Sequence, residues 1–538
     1  MNKKIAFLDC TLRDGAYIVN SQFGDAAITG IIKKLQEAGT DIIECGWLKD
    51  SPHQPGSSFF HVPADVKPYI LRKSEQTLYT AMIDWDRYQV ENLPQNDGSS
   101  IDAIRVVFPY GRYKEGAEIG KIIQRKGYQV LFQAANTLAY SDDDLCALVE
   151  VINTAKPLAL SIVDTFGAMY EQDLDRIVSV LNKELDPDIR LGFHSHNNQQ
   201  LSFALSIHFA EYFQNAERNI IIDASLCGMG RGAGNTATEL LANYLNRNCH
   251  GSYDMDAILD AVDTYMTGFL ERYTWGYSAP YLIAGMYCCH VNNIAYLQKN
   301  HRTNAKDMRN IIASLSAEDR RKYNYDLLEQ KYLENQSRSV DDEAAMQQLR
   351  TALQGKTALL IAPGKSTVIE ADKIKRYIEG YHPVVIAVNA VNSDFPSDYL
   401  FVINTIRYQY AKEVYPSCFA KPKKILLSSI KTTGEHDELI VNFSRVVKRG
   451  WTYFDNAVID CLRLLSKLHV HDVAIAGFDG FKTKYNESYA DAALPTLNPD
   501  NDWDELNREI ADMFADFRAS AGRDMRLHFI TESIFDAE

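Results

Sequence analysis

Eight short runs of β-branched and apolar residues, separated by stretches with helical patterning, fill the first 225 residues and constrain the fold more than any other feature. They are Ile5 to Asp9, Asp41 to Cys45, Thr77 to Ile83, Ala103 to Phe108, Gln129 to Gln133, Ala159 to Val163, Arg190 to Phe193, and Asn219 to Ala224. Parallel strands need long crossovers, usually helices, so this alternation predicts an α/β fold with a parallel sheet. Between the first two runs Ile28, Ile31, Ile32 and Leu35 share one helical face, with Asp25 suited to cap the start and Gly39 the end. Repeats in this number favour a closed TIM-type (β/α)8 barrel over an open doubly wound sheet, which usually has fewer strands. In such a barrel, chemistry gathers where strands end.

A chain of 538 residues exceeds one ordinary domain. Residues 1–300 read as the barrel domain, with Thr236 to Leu245 amphipathic and Tyr253 to Phe269 periodic in a helical extension. The polar stretch from Tyr332 to Gly355 marks a boundary, so 301–355 is expected to be helical extension and linker. Strand-like runs return at Thr357 to Ala362, Val384 to Val388, Tyr399 to Ile403, Lys424 to Leu427 and Val473 to Ala476. Residues 356–538 therefore read as a smaller Rossmann-like α/β domain.

The net charge of −15 argues against a nucleic-acid or anionic-membrane surface. Nine cysteines, odd in number and without Cys-x-x-Cys spacing, exclude a disulfide framework or zinc ribbon as the organising element. Met1 to Lys4 leads straight into Ile5 to Leu8, which leaves no room for a signal peptide, and no run approaches a membrane span. The cytoplasm is the expected compartment.

His194 and His196 stand two apart at a strand end, so their side chains point to the same side of the sheet. Two imidazoles and one carboxylate make a divalent-metal site with positions open to substrate, and Asp14 is the natural carboxylate. Nitrogen and oxygen donors of this kind suit Mn²⁺, Co²⁺, Mg²⁺ or Zn²⁺ about as well as Fe²⁺. The bland readings are a structural His pair and, for Arg13 beside Asp14, a salt-bridged strand end. The segment Gly228-Met229-Gly230-Arg231-Gly232-Ala233 matches the dinucleotide fingerprint formally. It follows the eighth run, however, where barrel loops bind anions through free backbone N–H, or form a tight turn with no ligand. Asn235 is placed to approach the metal, and Glu44, Asp84, Gln133, Asp164 and Thr165 would line the same mouth. In the second domain Gly364-Lys365-Ser366 ends like a P-loop but lacks its first glycine, so it reads either as a phosphate site or as a helix start with a solvated lysine. Asp479 ends another strand and would face the same crevice.

Together, Asp9-x-Thr11-Leu12-Arg13-Asp14-Gly15, Asp164-Thr165-Phe166-Gly167, His194-x-His196-Asn197-Asn198 and Gly228-x-Gly230-Arg231-Gly232-Ala233-Gly234-Asn235 resemble the metal-dependent barrel lyases and synthases called DRE-TIM metallolyases, over roughly residues 1–300. Within them the likeness is greatest to the 4-hydroxy-2-oxovalerate aldolases, with 3-hydroxy-3-methylglutaryl-CoA lyases and 2-isopropylmalate synthases as relatives. The resemblance implies metal ligation by Asp14, His194 and His196, and enolate stabilisation by Arg13. Arg13, Thr165, Gly230, Gly232 and Asn235 are the expected substrate contacts, and Glu44 and Tyr287 further catalytic candidates. Mn²⁺ is the expected ion, with Mg²⁺, Co²⁺ and Zn²⁺ as alternatives. One position departs from the aldolases: Tyr17 stands where they carry their acid/base histidine, and tyrosine is a poor base at neutral pH unless its pKa is lowered.

The implied reaction opens or forms a carbon–carbon bond of a 4-hydroxy-2-oxo acid, giving a 2-oxo acid (pyruvate) and an aldehyde. A Claisen condensation of an acyl-CoA with a 2-oxo acid, a non-haem iron oxygenase, and a binding or regulatory barrel that has lost catalysis are the competing readings. A homo-oligomer is the expected assembly. The second domain does not look like the dehydrogenase with which such aldolases often pair.

Overall fold

The structure is a computed structural model and describes residues 3–301, 303–336, 339–430, 437–451, 455–482, 485–495 and 503–536. Ser337 and Arg338 of the polar stretch lie outside these residues. The chain divides into one unit of Met1–Val291 with Arg320–Lys322, and another of Asn292–Asp319 with Tyr323–Glu538.

In the first unit each apolar run becomes a strand: β1 (Ile5–Asp9), β2 (Ile42–Leu48), β3 (Leu78–Asp84), β4 (Ala103–Phe108), β5 (Gln129–Ala134), β6 (Ala159–Asp164), β7 (Arg190–Ser195) and β8 (Ile220–Ala224). All pair in parallel, and β1 pairs with both β8 (Ile5 opposite Ile220) and β2 (Leu8 opposite Ile42), so the sheet closes on itself. Helices α1 (Asp25–Glu37), α2 (Tyr113–Arg125), α3 (Asp142–Ala155), α4 (Glu171–Glu184), α5 (Ser202–Gln214) and α6 (Thr238–Asn248) cross back over it. The second and third crossovers carry less helix, with a four-residue helix at Pro63–Val66 and only a tight turn at Val90–Asn92.

Strand alternation sorts the side chains. Phe7, Ile43, Tyr79, Ile104, Phe132, Leu160, Phe193 and Ile222 face the helices in one continuous core. Ala6, Leu8, Ile42, Ala103, Leu131, Ala159 and Ile221 fill the barrel interior, which is therefore a packed core and not a pore. Helix α1 buries Ile28, Ile31, Ile32 and Leu35, as its spacing predicts. Its cap is Gly24, because the Asp25 carboxylate instead accepts hydrogen bonds from Gly56 N–H and Tyr69 Oη, both at 2.6 Å.

The second unit holds a parallel sheet of β9 (Ala358–Ile361), β10 (Val384–Val388), β11 (Tyr399–Val402), β12 (Lys423–Leu427), β13 (Glu438–Val441), β14 (Asp472–Ala476) and β15 (Arg526–Phe529), in the order β13-β12-β11-β10-β9-β14-β15. Strands β13 and β15 escape the sequence reading because each is a four-residue edge strand. The phosphate-site reading of Gly364, Lys365 and Ser366 needs correction. Ser366 N–H donates to Asp479 Oδ2 at 2.8 Å and its hydroxyl to Oδ1. The residues after Gly364 form only a four-residue helix, so an internal carboxylate takes the place a phosphate would need.

Candidate metal centre

The opening motif turns away from β1 because Asp9 holds both sides of the turn. Its carboxylate accepts Thr11 N–H at 2.9 Å and the Thr238 hydroxyl at 2.5 Å. Thr11 Oγ1 in turn accepts Leu226 N–H at 2.8 Å, which ties the one-turn helix Thr11–Asp14 to the loop after β8. That loop is joined to the end of β7 by Asn197 N–H donating to Gly234 O at 2.8 Å, and Asn198 accepts Ala233 N–H at 2.9 Å while donating to Phe166 O. Four segments remote in sequence thereby meet at the carboxyl ends of β1, β6, β7 and β8.

At their meeting point one ligand atom from each of Asp14, His194 and His196 lies within 4.8 Å of the other two. Burial pushes the Asp14 carboxyl up, but Arg13, both imidazoles and the Asn235 amide outweigh it and hold the group ionised, well below the usual carboxylate range. Burial lowers His196 to about 3, against the opposing pull of Asp14, so its imidazole is neutral with a lone pair to give. Nδ1 of His196 and Oδ1 of Asn235 are each buried without a hydrogen-bond partner, while Nδ1 of His194 faces Asp223. Unsatisfied buried donor and acceptor atoms are costly unless something meets them. An ionised carboxylate and two imidazoles, one of them oriented by a carboxylate behind it, fit a divalent cation.

Beneath these ligands runs a buried ionic chain. Arg13 donates from Nη1 to Asp14 at 2.7 Å and from Nε to Glu44 at 2.8 Å. Glu44 also accepts from Arg105 at 2.8 Å, and Arg105 reaches Asp223, whose Oδ2 stands 3.0 Å from His194 Nδ1. Carboxylates exceed guanidiniums by one in this chain, so a cation completes its charge. Arg105 and Asp223 are the residues that sequence reasoning missed. Their signal was present: a single charge inside Ala-Ile-Arg-Val-Val-Phe and inside Ile-Ile-Ile-Asp-Ala can only be inward-facing and paired.

The remaining candidates fall into place unevenly. Asn235 donates to Asp14 Oδ2 at 2.7 Å. Gly230 packs so tightly that a Cβ would stand 2.6 Å from Asp14 Oδ2 and 2.5 Å from Asn235 Nδ2. Gly232 has φ +68°, and a Cβ there would stand 2.7 Å from Asn198 Oδ1. Thr165 Oγ1 accepts Asn136 N–H at 2.7 Å at the end of β6. Glu44 is sealed between its two arginines and reaches no solvent. Tyr287 follows helix α7 (Ala279–Met286), its ring 5.2 Å from the Arg320 guanidinium. Tyr17 lies 3.7 Å beneath the Arg231 guanidinium, and burial raises its pKa against the pull of Arg231 and Arg13, so at neutral pH it is a proton donor. Arg231 Nη1 is 3.5 Å from His290 Nε2, a second contact the sequence did not announce.

Two outcomes follow from this geometry. Gly230→Ala is expected to lower metal affinity about 10–100-fold, the usual effect of disturbing groups that orient ligands, with the melting temperature nearly unchanged; metal titration beside thermal melts checks it. Asp164 titrates in the opposite sense to most carboxylates. Burial pushes it up to about 7, although Ala168 and Met169 N–H pull it down, and burial likewise takes Asp9 to about 6. The folded state then holds protons that the unfolded state releases between about pH 4 and 7, so stability falls as pH rises through that window. The slope is about 1.4 kcal/mol per pH unit for one such group. Melts at pH 6 should exceed those at pH 8, and Asp164→Asn should flatten the difference.

The HMGL-like family profile matches residues 113–264. An oxaloacetate decarboxylase of Mycobacterium tuberculosis is 28% identical over 48% of this chain and 76% of its own length. A 4-hydroxy-2-oxovalerate aldolase of Geobacillus genomosp. 3 is 26% identical over 48% of this chain and 76% of its own length. Among solved structures, the Bacillus subtilis HMG-CoA lyase aligns at 17% identity and a TM-score of 0.40, covering 49% of this chain and 93% of that one.

Proposed function

From a barrel of HMGL-like type we propose that this chain is a divalent-metal-dependent carbon–carbon lyase, acting on a 4-hydroxy-2-oxo acid to give pyruvate and an aldehyde. The observation that carries the reading is the Asp14, His194 and His196 triad, backed by an arginine already paired to the same aspartate. A cation held there, Mn²⁺ by expectation, would supply Lewis acidity toward the 2-oxo group and its carboxylate. Arg13 spends Nε and Nη1 on Glu44 and Asp14, which leaves Nη2 to meet negative charge developing on the 2-oxo oxygen. Glu44 and Arg105 act through Arg13 by fixing its orientation. The loop from Gly230 to Asn235, kept close by glycine, holds the carboxylate end of the substrate.

Cleavage between C3 and C4 leaves an electron pair on C3 that delocalises onto the 2-oxo oxygen. A retro-aldol route also requires a base for the 4-hydroxyl proton, and Tyr17 is protonated. That observation favours a second reading, decarboxylation of a 2-oxo dicarboxylic acid, which is the activity in the name of one relative. Loss of CO2 needs no base; it needs positive charge at the 2-oxo oxygen, to take the electron pair left on C3, and an acid to protonate C3. Arg13 and the Tyr17 hydroxyl suit those two tasks.

Pyruvate release from 4-hydroxy-2-oxovalerate and from oxaloacetate, each with Mn²⁺ and with chelator, tests both. Chelator-sensitive release from the first supports the aldolase reading, and release from oxaloacetate alone supports the second. Release from neither overturns both. Tyr17→Phe should lower decarboxylation about 10²-fold or more, as for loss of a positioned acid, while leaving metal content unchanged.

A further inference from the structure

The second unit contains a crevice of its own, at the point where its sheet reverses direction. The strand order runs outward from β9 to β13 on one side and through β14 to β15 on the other. Connections leaving β9 and β14 at that point part to opposite faces, and open α/β sheets take their ligands in the opening so formed at the carboxyl ends. Here the two loops touch backbone to backbone: Gly364 N–H donates to Gly477 O at 3.0 Å, and a Cβ on Gly477 would stand 2.2 Å from Ala362 O. Beside them lies about 830 Å³ of space between atoms, part of it open to solvent.

What singles the crevice out is Arg407, in the first turn of helix α8 (Thr405–Val414), which packs on the sheet there. Its side chain lines the crevice although the residue is only 5% exposed. Nη1 is buried with no hydrogen-bond partner among the described residues, and the guanidinium stands 4.8 Å from the Tyr489 ring. Asp491, the carboxylate that feels its charge, already accepts the hydroxyls of Tyr410 and Tyr415 at 2.8 and 2.9 Å. Ser488 Oγ, on the same lining, is also buried without a partner. A guanidinium nitrogen buried without a hydrogen-bond partner is unfavourable in the free protein. Its planar fork of donors matches a phosphate. Elsewhere the lining is aromatic, with Phe478, Phe481 and Tyr489, and it carries the carboxylates Asp455 and Asp479, the latter already bonded to Ser366.

We propose that this crevice binds a nucleoside phosphate, with a phosphate group on Arg407 and the base against the aromatic lining. The site stands apart from the barrel's chemistry and does not rest on the lyase reading.

Isothermal titration of the full chain with the four ribonucleoside 5′-monophosphates and diphosphates tests it, with the free nucleosides and inorganic phosphate as controls. At least one nucleotide should bind saturably at one site per chain, with its nucleoside and inorganic phosphate at least tenfold weaker. Arg407→Met should weaken that nucleotide about 100-fold while giving up in the protein only the contact with the Tyr489 ring and the attraction to Asp491; an arginine that merely braced the fold would leave nucleotide binding by the folded variant unchanged. Arg407→Lys, which keeps the charge without the fork, should weaken binding less, and it carries the test if the Met variant does not fold. Binding by no nucleotide, equal binding of inorganic phosphate, or undiminished binding by the Arg407 variants would overturn the proposal.

Discussion

Replacement of Asp14 by Asn is expected to abolish tight metal binding and to lower turnover about 10³-fold or more, while the protein stays folded. The amide keeps one oxygen, so it retains one of the two hydrogen bonds that Arg13 makes to Oδ1 and Asn235 to Oδ2, and the change of shape is small enough for the barrel to stay folded. What it loses is the only ionised oxygen ligand of the triad. Lewis-acid stabilisation is worth several kcal/mol, and each 1.36 kcal/mol is a factor of about ten in rate. Metal content by mass spectrometry beside steady-state turnover checks this, with circular dichroism melts as the control. Retained metal at retained activity would remove Asp14 from the centre.

The second large effect concerns stability. Arg105→Met is expected to destabilise the barrel by about 3–5 kcal/mol, the cost of leaving buried charge uncompensated. Arg105 is fully buried and serves Glu44, Asp223 and Gln133 together. Methionine fills much of the volume but leaves both carboxylates without their shared cation. At about 2–4 °C per kcal/mol for a domain of this order of size, the melting temperature should drop by about 6–20 °C. Adding Asp223→Asn to the variant should recover part of the loss, because the two residues share one interaction. An additive, further loss in the double variant would show that their pairing is not what the barrel depends on.

These two residues also show how far the amino-acid pattern reaches. Asp14, His194 and His196 could be read ahead of the fold because a His-x-His at a strand end and an Asp after another strand admit few common explanations once eight strands imply a barrel. The barrel itself followed from spacing, since every apolar run became a strand. Arg105 and Asp223 lay inside those same runs and were passed over, because a hydrophobic count tolerates one charge where the alternation of inward and outward positions does not. The turn at Gly364-Lys365-Ser366 shows the opposite error. A local pattern suggested a phosphate, but Asp479, more than a hundred residues away, fills the position. Arg407 could not be found this way at all: its significance is the missing partner, which only the folded surroundings reveal. Tyr17 was visible as a departure, but its place under the Arg231 guanidinium, a contact between residues 17 and 231, was not.

Both proposed reactions of the barrel pass through the enolate of a 2-oxo acid. Deuterium incorporation at the pyruvate methyl in D2O, followed by mass spectrometry with Mn²⁺ and with chelator, measures it directly. Exchange that requires the metal and the native enzyme, and that disappears in Asp14→Asn, is the predicted result. Exchange no faster than in protein-free buffer, in a protein shown to hold its metal, would contradict it.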